Sequence, residues 1–400
     1  MLWPPLMVIV FALSIAGYPL AGMLAPYFDI ADSLVSMAFR LLVVALSVLA
    51  VATVRPQERI TPSRWLLVFF AAYLVRLGWD WLMEVSPDAD EALLYFVVVC
   101  AIPALAVNLS IRRWDETRAC FTVVLVGAIG CAMAWWSLNA GFGDTDRGRL
   151  VFDKLNPISV GHMGATTLLA CIALLPQVRL TWLRLAILVG LGVLGLYMVV
   201  LGASRGPLVA MVAAVGFLVW IKYRRWWFIV LVVPFLWFLI EPVVAESGML
   251  EALRLSTILN ALLSGDAGYD VTSSLRVGAI GEAWDRFIFN PVFGSRFDLE
   301  SGGYPHNLWI ESGMAMGFPG LVLMSGCLLV SLRRAWQLVQ LDHWLLPMLF
   351  VQYAVGAMFS GALWGSGPFW TVVAPLLVVG GGAAPIRPVA LPFRSLSRRY

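Results

Sequence analysis

Charge is scarce in this sequence. Lys, Arg, Asp and Glu make up 13% of the 400 residues, against roughly 25% in ordinary soluble chains. That shortage excludes a soluble globule. Cysteine is also rare, and all five (Cys100, Cys120, Cys131, Cys171 and Cys327) fall inside apolar runs. Neither a disulfide framework nor a thiolate metal site is suggested. No basic segment precedes the first apolar run, which follows Met1-Leu2-Trp3-Pro4-Pro5, so no cleaved signal peptide is expected. The net charge of +3 favours no particular partner, and nothing points to nucleic acid. No Walker-type glycine loop is present.

What is abundant is apolar: 61% of the residues are hydrophobic and mean hydropathy is +0.86. Runs near 20 residues recur along the chain, each long enough to cross ~30 Å of hydrocarbon as a helix. A β-barrel would show short alternating segments instead. The fold class is therefore an all-α integral membrane protein with about 12 transmembrane helices. The spans are expected at roughly 6–25, 33–54, 65–84, 92–111, 119–140, 157–176, 185–202, 207–221, 226–244, 307–331, 344–362 and 367–384.

Loop charge sets the orientation, because basic residues stay cytoplasmic. With both termini inside, 17 of the 27 Lys and Arg fall on the cytoplasmic side and 8 outside. Arg40 and Arg76 lie within spans. Arg40, Arg76 and Asp80 place charge in the outer half of spans 2 and 3, and intramembrane charge is otherwise not expected. They are either a buried set holding helices together or the lining of a headgroup or acceptor pocket.

The outer loops carry the chemistry. Loop 141–156 contains Asp144-Thr145-Asp146 and a basic cluster, Arg147, Arg149 and Lys154. The acidic triplet is either chance or half of a divalent-cation site. The cations are either a solvated loop or an anion site. Spans 7 and 8 join through Ser204-Arg205-Gly206-Pro207, which sets Arg205 at a helix start. It either reaches lipid headgroups or, with the free N–H groups there, binds phosphate.

The outer loop 245–306 is the longest. Residues 248–263 read as a helix lying in the interface. Ser273 to Phe289 read as a second helix, with an apolar face of Leu275, Ala279, Ile280, Ala283, Trp284, Phe287 and Ile288. Arg276 falls in its first turn, where a cation opposes the dipole. Tyr304-Pro305-His306-Asn307 then opens span 10. A helix start with arginines nearby keeps an imidazole neutral, as a general base must be. Otherwise His306 merely caps the span.

These features together resemble the O-antigen ligase and polymerase family of bacterial envelope membrane proteins. The resemblance rests on SRGP at 204–207, SLR at 274–276 leading to NPVFG at 290–294, and YPHN at 304–307 with Gly313, Gly317 and Gly320 beyond. N-P-I-x-x-G at 156–161 adds to it. It covers roughly 140–330, and it implies three parts. Residues 1–140 are N-terminal membrane helices. Residues 141–331 are the family core with its periplasmic loop at 245–306. Residues 332–400 are C-terminal membrane helices and a cytoplasmic basic tail.

The resemblance implies a GT-C-like fold in the bacterial inner membrane with a periplasmic active site. It implies transfer of O-antigen from undecaprenyl pyrophosphate to lipid A–core, without metal, cofactor or nucleotide sugar. Arg205, Arg276 and His306 would be the functional residues, with Arg147, Arg149 and Lys154 on pyrophosphate. Tyr304, Asn307, Arg40, Arg76 and Asp80 would be pocket candidates. A polymerase using the same donor, a lipid-linked-sugar transporter and a metal-dependent oligosaccharyltransferase are the rival readings.

Overall fold

The computed structural model describes residues 5–28, 32–55, 63–139, 144–146, 149–151, 156–179, 181–202, 204–224 and 271–378. Among these, nine helical segments are long and apolar enough to cross a membrane, and Leu345–Ala357 and Gly367–Val378 are shorter apolar helices. Eleven of the twelve expected spans thus have a counterpart. The remaining one, 226–244, and the expected interfacial helix at 248–263 lie outside the described residues. The all-α frame carries one small addition, an antiparallel pair of strands, Asp144–Asp146 and Arg149–Val151, in which Thr145 faces Leu150.

Helix packing here rests on small residues, which let backbones approach without help from water. Pro157–Leu174 lies against Trp182–Leu201. A Cβ added at Gly195 would stand 2.6 Å from the Gly164 carbonyl oxygen. The large exposed side chains, such as Val48, Val75, Val189 and Leu329, form the outer surface that lipid covers. Two π-helical turns, Leu13–Gly17 and Phe96–Ala101, interrupt otherwise α-helical spans.

The helices alternate in direction, so their connections fall at two ends of the bundle. At one end Lys222 pairs with Asp342 at 2.5 Å, and the Leu345 N–H donates to Glu116. At the other end lie Gly202 and Ser204, the 290–307 segment and the 358–366 loop. The latter is called the site end below.

The expected tenth span is not one straight helix. The segment Leu308–Gln340 breaks at Gly317, whose φ of 66° and ψ of −153° are not helical. The two arms fold back on each other. The Trp309 indole N–H donates to Ser325 Oγ at 2.9 Å, and a Cβ on Gly313 would stand 3.0 Å from the Leu321 side chain. In a straight helix residues 309 and 325 would stand about 24 Å apart. The short arm therefore climbs back toward the site end, and residues 304–307 that precede it are drawn down among the helices. Gly317 is what permits the reversal, because its φ and ψ belong to a region that is essentially glycine-only.

Candidate active site

The segment after helix Val271–Phe289 is pinned at several points. Gly294, at φ 73°, lets the 290–294 turn press on the short arm. There the Ser295 N–H donates to the Met314 carbonyl at 2.9 Å and the Phe318 N–H to the Pro291 carbonyl at 2.7 Å. Two of the motifs behind the resemblance, NPVFG and the spaced glycines, are thus the two sides of one contact.

Next in the chain, the Phe297 N–H donates to Asp80 Oδ2 at 3.2 Å. Asp80 is fully buried and ion-paired with Arg76. Arg296 makes two bonds to Asp298, of 2.6 and 2.8 Å, and Ser86 Oγ donates to the same carboxylate at 2.6 Å. Arg76 and Asp80 therefore meet the site by holding its loop. The hydrogen bonding of Arg296 to Asp298 is the main cause that raises the Arg296 pKa.

Residues 299–303 are tied to the preceding helix. Glu282 accepts from the Glu300 N–H and from Ser301 Oγ, both at 2.7 Å, and Arg286 bridges to Glu282 and Glu300. Partial burial would raise the Glu282 pKa, but these hydrogen bonds and the Arg286 charge outweigh it and lower it. Helix Val271–Phe289 starts two residues earlier than expected, so Arg276 lies beyond its first turn. Its expected apolar face is only partly packed. Ala283 and Ala279 meet Leu299, Met314 and Ile310, while Leu275, Trp284 and Ile288 are exposed.

Tyr304 to Asn307 form the centre. Asn307 caps the short arm, its Oδ1 accepting from the Trp309 and Ile310 N–H groups at 3.1 Å, and its Nδ2 donates to the Met358 carbonyl. His306, just before the cap, is held at φ 59°, a left-handed conformation uncommon for a side-chain-bearing residue. Its ring stands 4.4 Å from that of Tyr304, and its Nδ1 is buried without a hydrogen bond among the described residues. Burial first, and the positive charge of Arg276 second, lower the His306 pKa below its ordinary value. Burial raises the Tyr304 pKa, and Arg276 opposes that rise. Arg276 therefore acts on both rings.

Glu311 was not foreseen as an intramembrane charge. It is fully buried, one turn into the short arm. It accepts the Leu363 N–H at 3.0 Å on each oxygen and the Tyr73 hydroxyl at 3.4 Å. It thereby fixes the 358–366 loop, whose Trp364 ring lies 6.4 Å from Tyr304. An acid inside an apolar run was the available signal. It falls near the outer edge of the expected span, where an acid excites little notice.

Arg205 is the first residue of helix Arg205–Lys222, with Ser204 as cap and Pro207 in the first turn. The turn before it packs on the 156–161 motif: a Cβ on Gly202 would stand 2.9 Å from the Pro157 carbonyl, and one on Gly161 2.9 Å from Pro207 Cγ. Arg205 and Arg276 thus share the site end with His306. Arg149 lies in the second short strand, opposite Asp146, while Arg147 and Lys154 lie outside the described residues. Arg40 stands over the Tyr95 ring, 4.0 Å from its centroid, and its guanidinium reaches the Tyr18 hydroxyl at 3.4 Å.

Many apolar helices, broken helices at one end and buried polar groups gathered there define a multi-pass membrane protein with its candidate site recessed in the bundle. A family model described as O-Antigen ligase matches residues 190–325. Over that segment, 136 of the 400 residues, the chain is similar to the O-antigen ligase family. The matched stretch contains SRGP, SLR, NPVFG and YPHN and is narrower than the 140–330 suggested by the motifs. Neither a curated protein nor a solved structure matched the chain.

Proposed function

We propose that the protein transfers O-antigen polysaccharide from undecaprenyl pyrophosphate to a sugar hydroxyl of lipid A–core, on the periplasmic face of the bacterial inner membrane. The observation that carries this reading is His306, kept neutral by burial and by Arg276 in a pinned, left-handed conformation. His306 takes the proton from the acceptor hydroxyl as its oxygen attacks the anomeric carbon. The bond from that carbon to the carrier's pyrophosphate breaks, and the electron pair leaves with the pyrophosphate. One displacement inverts the anomeric configuration. Arg205 and Arg276, with Arg147, Arg149 and Lys154 in support, stabilise the charge that develops on the leaving phosphates. The frame is GT-C-like, and the positive-inside rule puts both termini in the cytoplasm.

Purified protein in liposomes, given undecaprenyl-pyrophosphate-linked glycan and lipid A–core with chelator present, tests this. A core–glycan band that requires both substrates supports a metal-independent ligase. A ladder of longer carrier-linked glycans with unmodified core would overturn it in favour of a polymerase. Activity lost to chelator would favour a metal site at Asp144 and Asp146.

A further inference from the structure

Two cavities adjoin at the site end, one of them reaching Tyr304, the ring neighbour of His306. One, of ≈ 250 Å³, has His162, Tyr304 and Tyr353 in its wall. The other, of ≈ 330 Å³, is lined by Phe39, Arg40, Val43, Tyr95 and Val99 among others. Ser14, Tyr18, Ser159, Gly365 and Pro368 border both, so the two form one cleft. Both π-helical turns contribute to its wall, Ser14 from one and Val99 from the other. Such turns are frequent at functional sites because they open a helix locally.

The two ends of the cleft differ in chemistry. At the far end Arg40 makes no ion pair with any described residue. It is about 12 Å along its helix from Asp32 at 1.5 Å per residue, and its contacts are the aromatic faces and hydroxyl of Tyr95 and Tyr18. Aromatic faces stabilise a cation without neutralising it, so the charge remains available to an anion in a largely apolar cavity. At the near end stand Tyr304, whose ring touches His306, and the His162 ring stacked on Tyr353. Ser14 Oγ and His162 Nδ1 are buried there without hydrogen bonds among the described residues. Such groups are normally paired.

We infer that this cleft holds the acceptor as a phosphate-bearing glycolipid, its phosphate on Arg40, its apolar part between Phe39 and Val99, and its sugar at Tyr304. This rests on the proposed ligase reading. The acceptor is the occupant because the cleft wall includes Tyr304, whose ring packs on the base His306 at 4.4 Å, and a base must meet the hydroxyl that attacks. The donor's pyrophosphate belongs to Arg205 and Arg276.

The test is binding without donor, so that it does not depend on which product the enzyme makes. Lipid A–core, with and without its phosphates, is titrated onto the detergent-solubilised protein. Wild type should bind the phosphorylated form about tenfold or more tightly, the scale of a hydrogen bond to a charged group. Arg40→Gln should lose that preference, Arg40→Lys should keep most of it, and carrier-linked glycan should bind all three alike. Equal binding of the two acceptor forms by wild type would overturn the inference even if Arg40→Gln failed to fold. So would undiminished competition by anionic phospholipid, which would make Arg40 a plain headgroup contact. A polymerase ladder in the reconstitution combined with phosphate-selective acceptor binding would refute the ligase reading while leaving the site intact.

Discussion

Replacing Gly317 by alanine should collapse the candidate site from a distance. Gly317 is where the short arm reverses, and its φ of 66° with ψ of −153° is a conformation that costs a side-chain-bearing residue about 1–3 kcal/mol. An added Cβ would also stand 2.6 Å from both the Pro291 carbonyl oxygen and the Val292 carbonyl carbon. These are backbone atoms, so relief requires the 290–294 turn to move, at a further cost of about 1–3 kcal/mol. The sum is about 2–6 kcal/mol, enough to lower the melting temperature in detergent clearly and to free His306 from its pinned conformation. Gly278→Ala is the control, since nothing lies within 4 Å of its Cβ and alanine in a helix interior is better than glycine by about 1 kcal/mol. Melting curves and transfer rates of both variants settle the matter. Gly317→Ala within about 0.5 kcal/mol of wild type, with full activity, would refute the broken-helix account.

Arg276→Gln removes one of the two causes that lower the His306 pKa. Because the neutral ring is the active form, the acid limb of the kcat/KM profile should move to higher pH, while remaining at or below the ordinary value near 6.5; an unmoved limb contradicts the link. The lowered pKa of Glu282 contributes stability above its unfolded value near 4.3 that is lost as pH falls through the folded one. Glu282→Gln should therefore lose less melting temperature than wild type on acidification from about pH 5 to 3, as calorimetry would read. Asp80→Asn leaves the half-buried Arg76 without its ion partner, at a cost approaching the ~3–5 kcal/mol of a fully buried pair. The double replacement Arg76→Met with Asp80→Leu should be less destabilised than that single change.

Much of the frame was legible in the sequence, because length and hydropathy fix a span without knowledge of its neighbours. The order of spans and the motif segments around Arg205, Arg276 and His306 could be read the same way. Contacts that cross the chain could not. Asp80 meets a backbone amide 217 residues away, and no pattern in either segment announces a backbone partner. Gly317 was visible as one of several spaced glycines, yet an apolar run that continues on both sides reads as one helix. Asn307 invited a role in binding, whereas its geometry is that of a helix cap, a use that asparagine shares with serine, threonine and aspartate. Arg76 and Asp80 read as either a buried pair or a pocket lining, the pair being the plainer reading; their bonds to each other and to Phe297 favour it as their main use.

The most direct measurement is single-turnover transfer by His306→Ala, on protein shown by its melting curve to be folded. The account predicts a fall of ~10²–10⁴ in rate, the usual cost of losing a general base, with donor and acceptor binding retained. Transfer at near wild-type rate by the folded variant would contradict it and remove His306 from the chemistry.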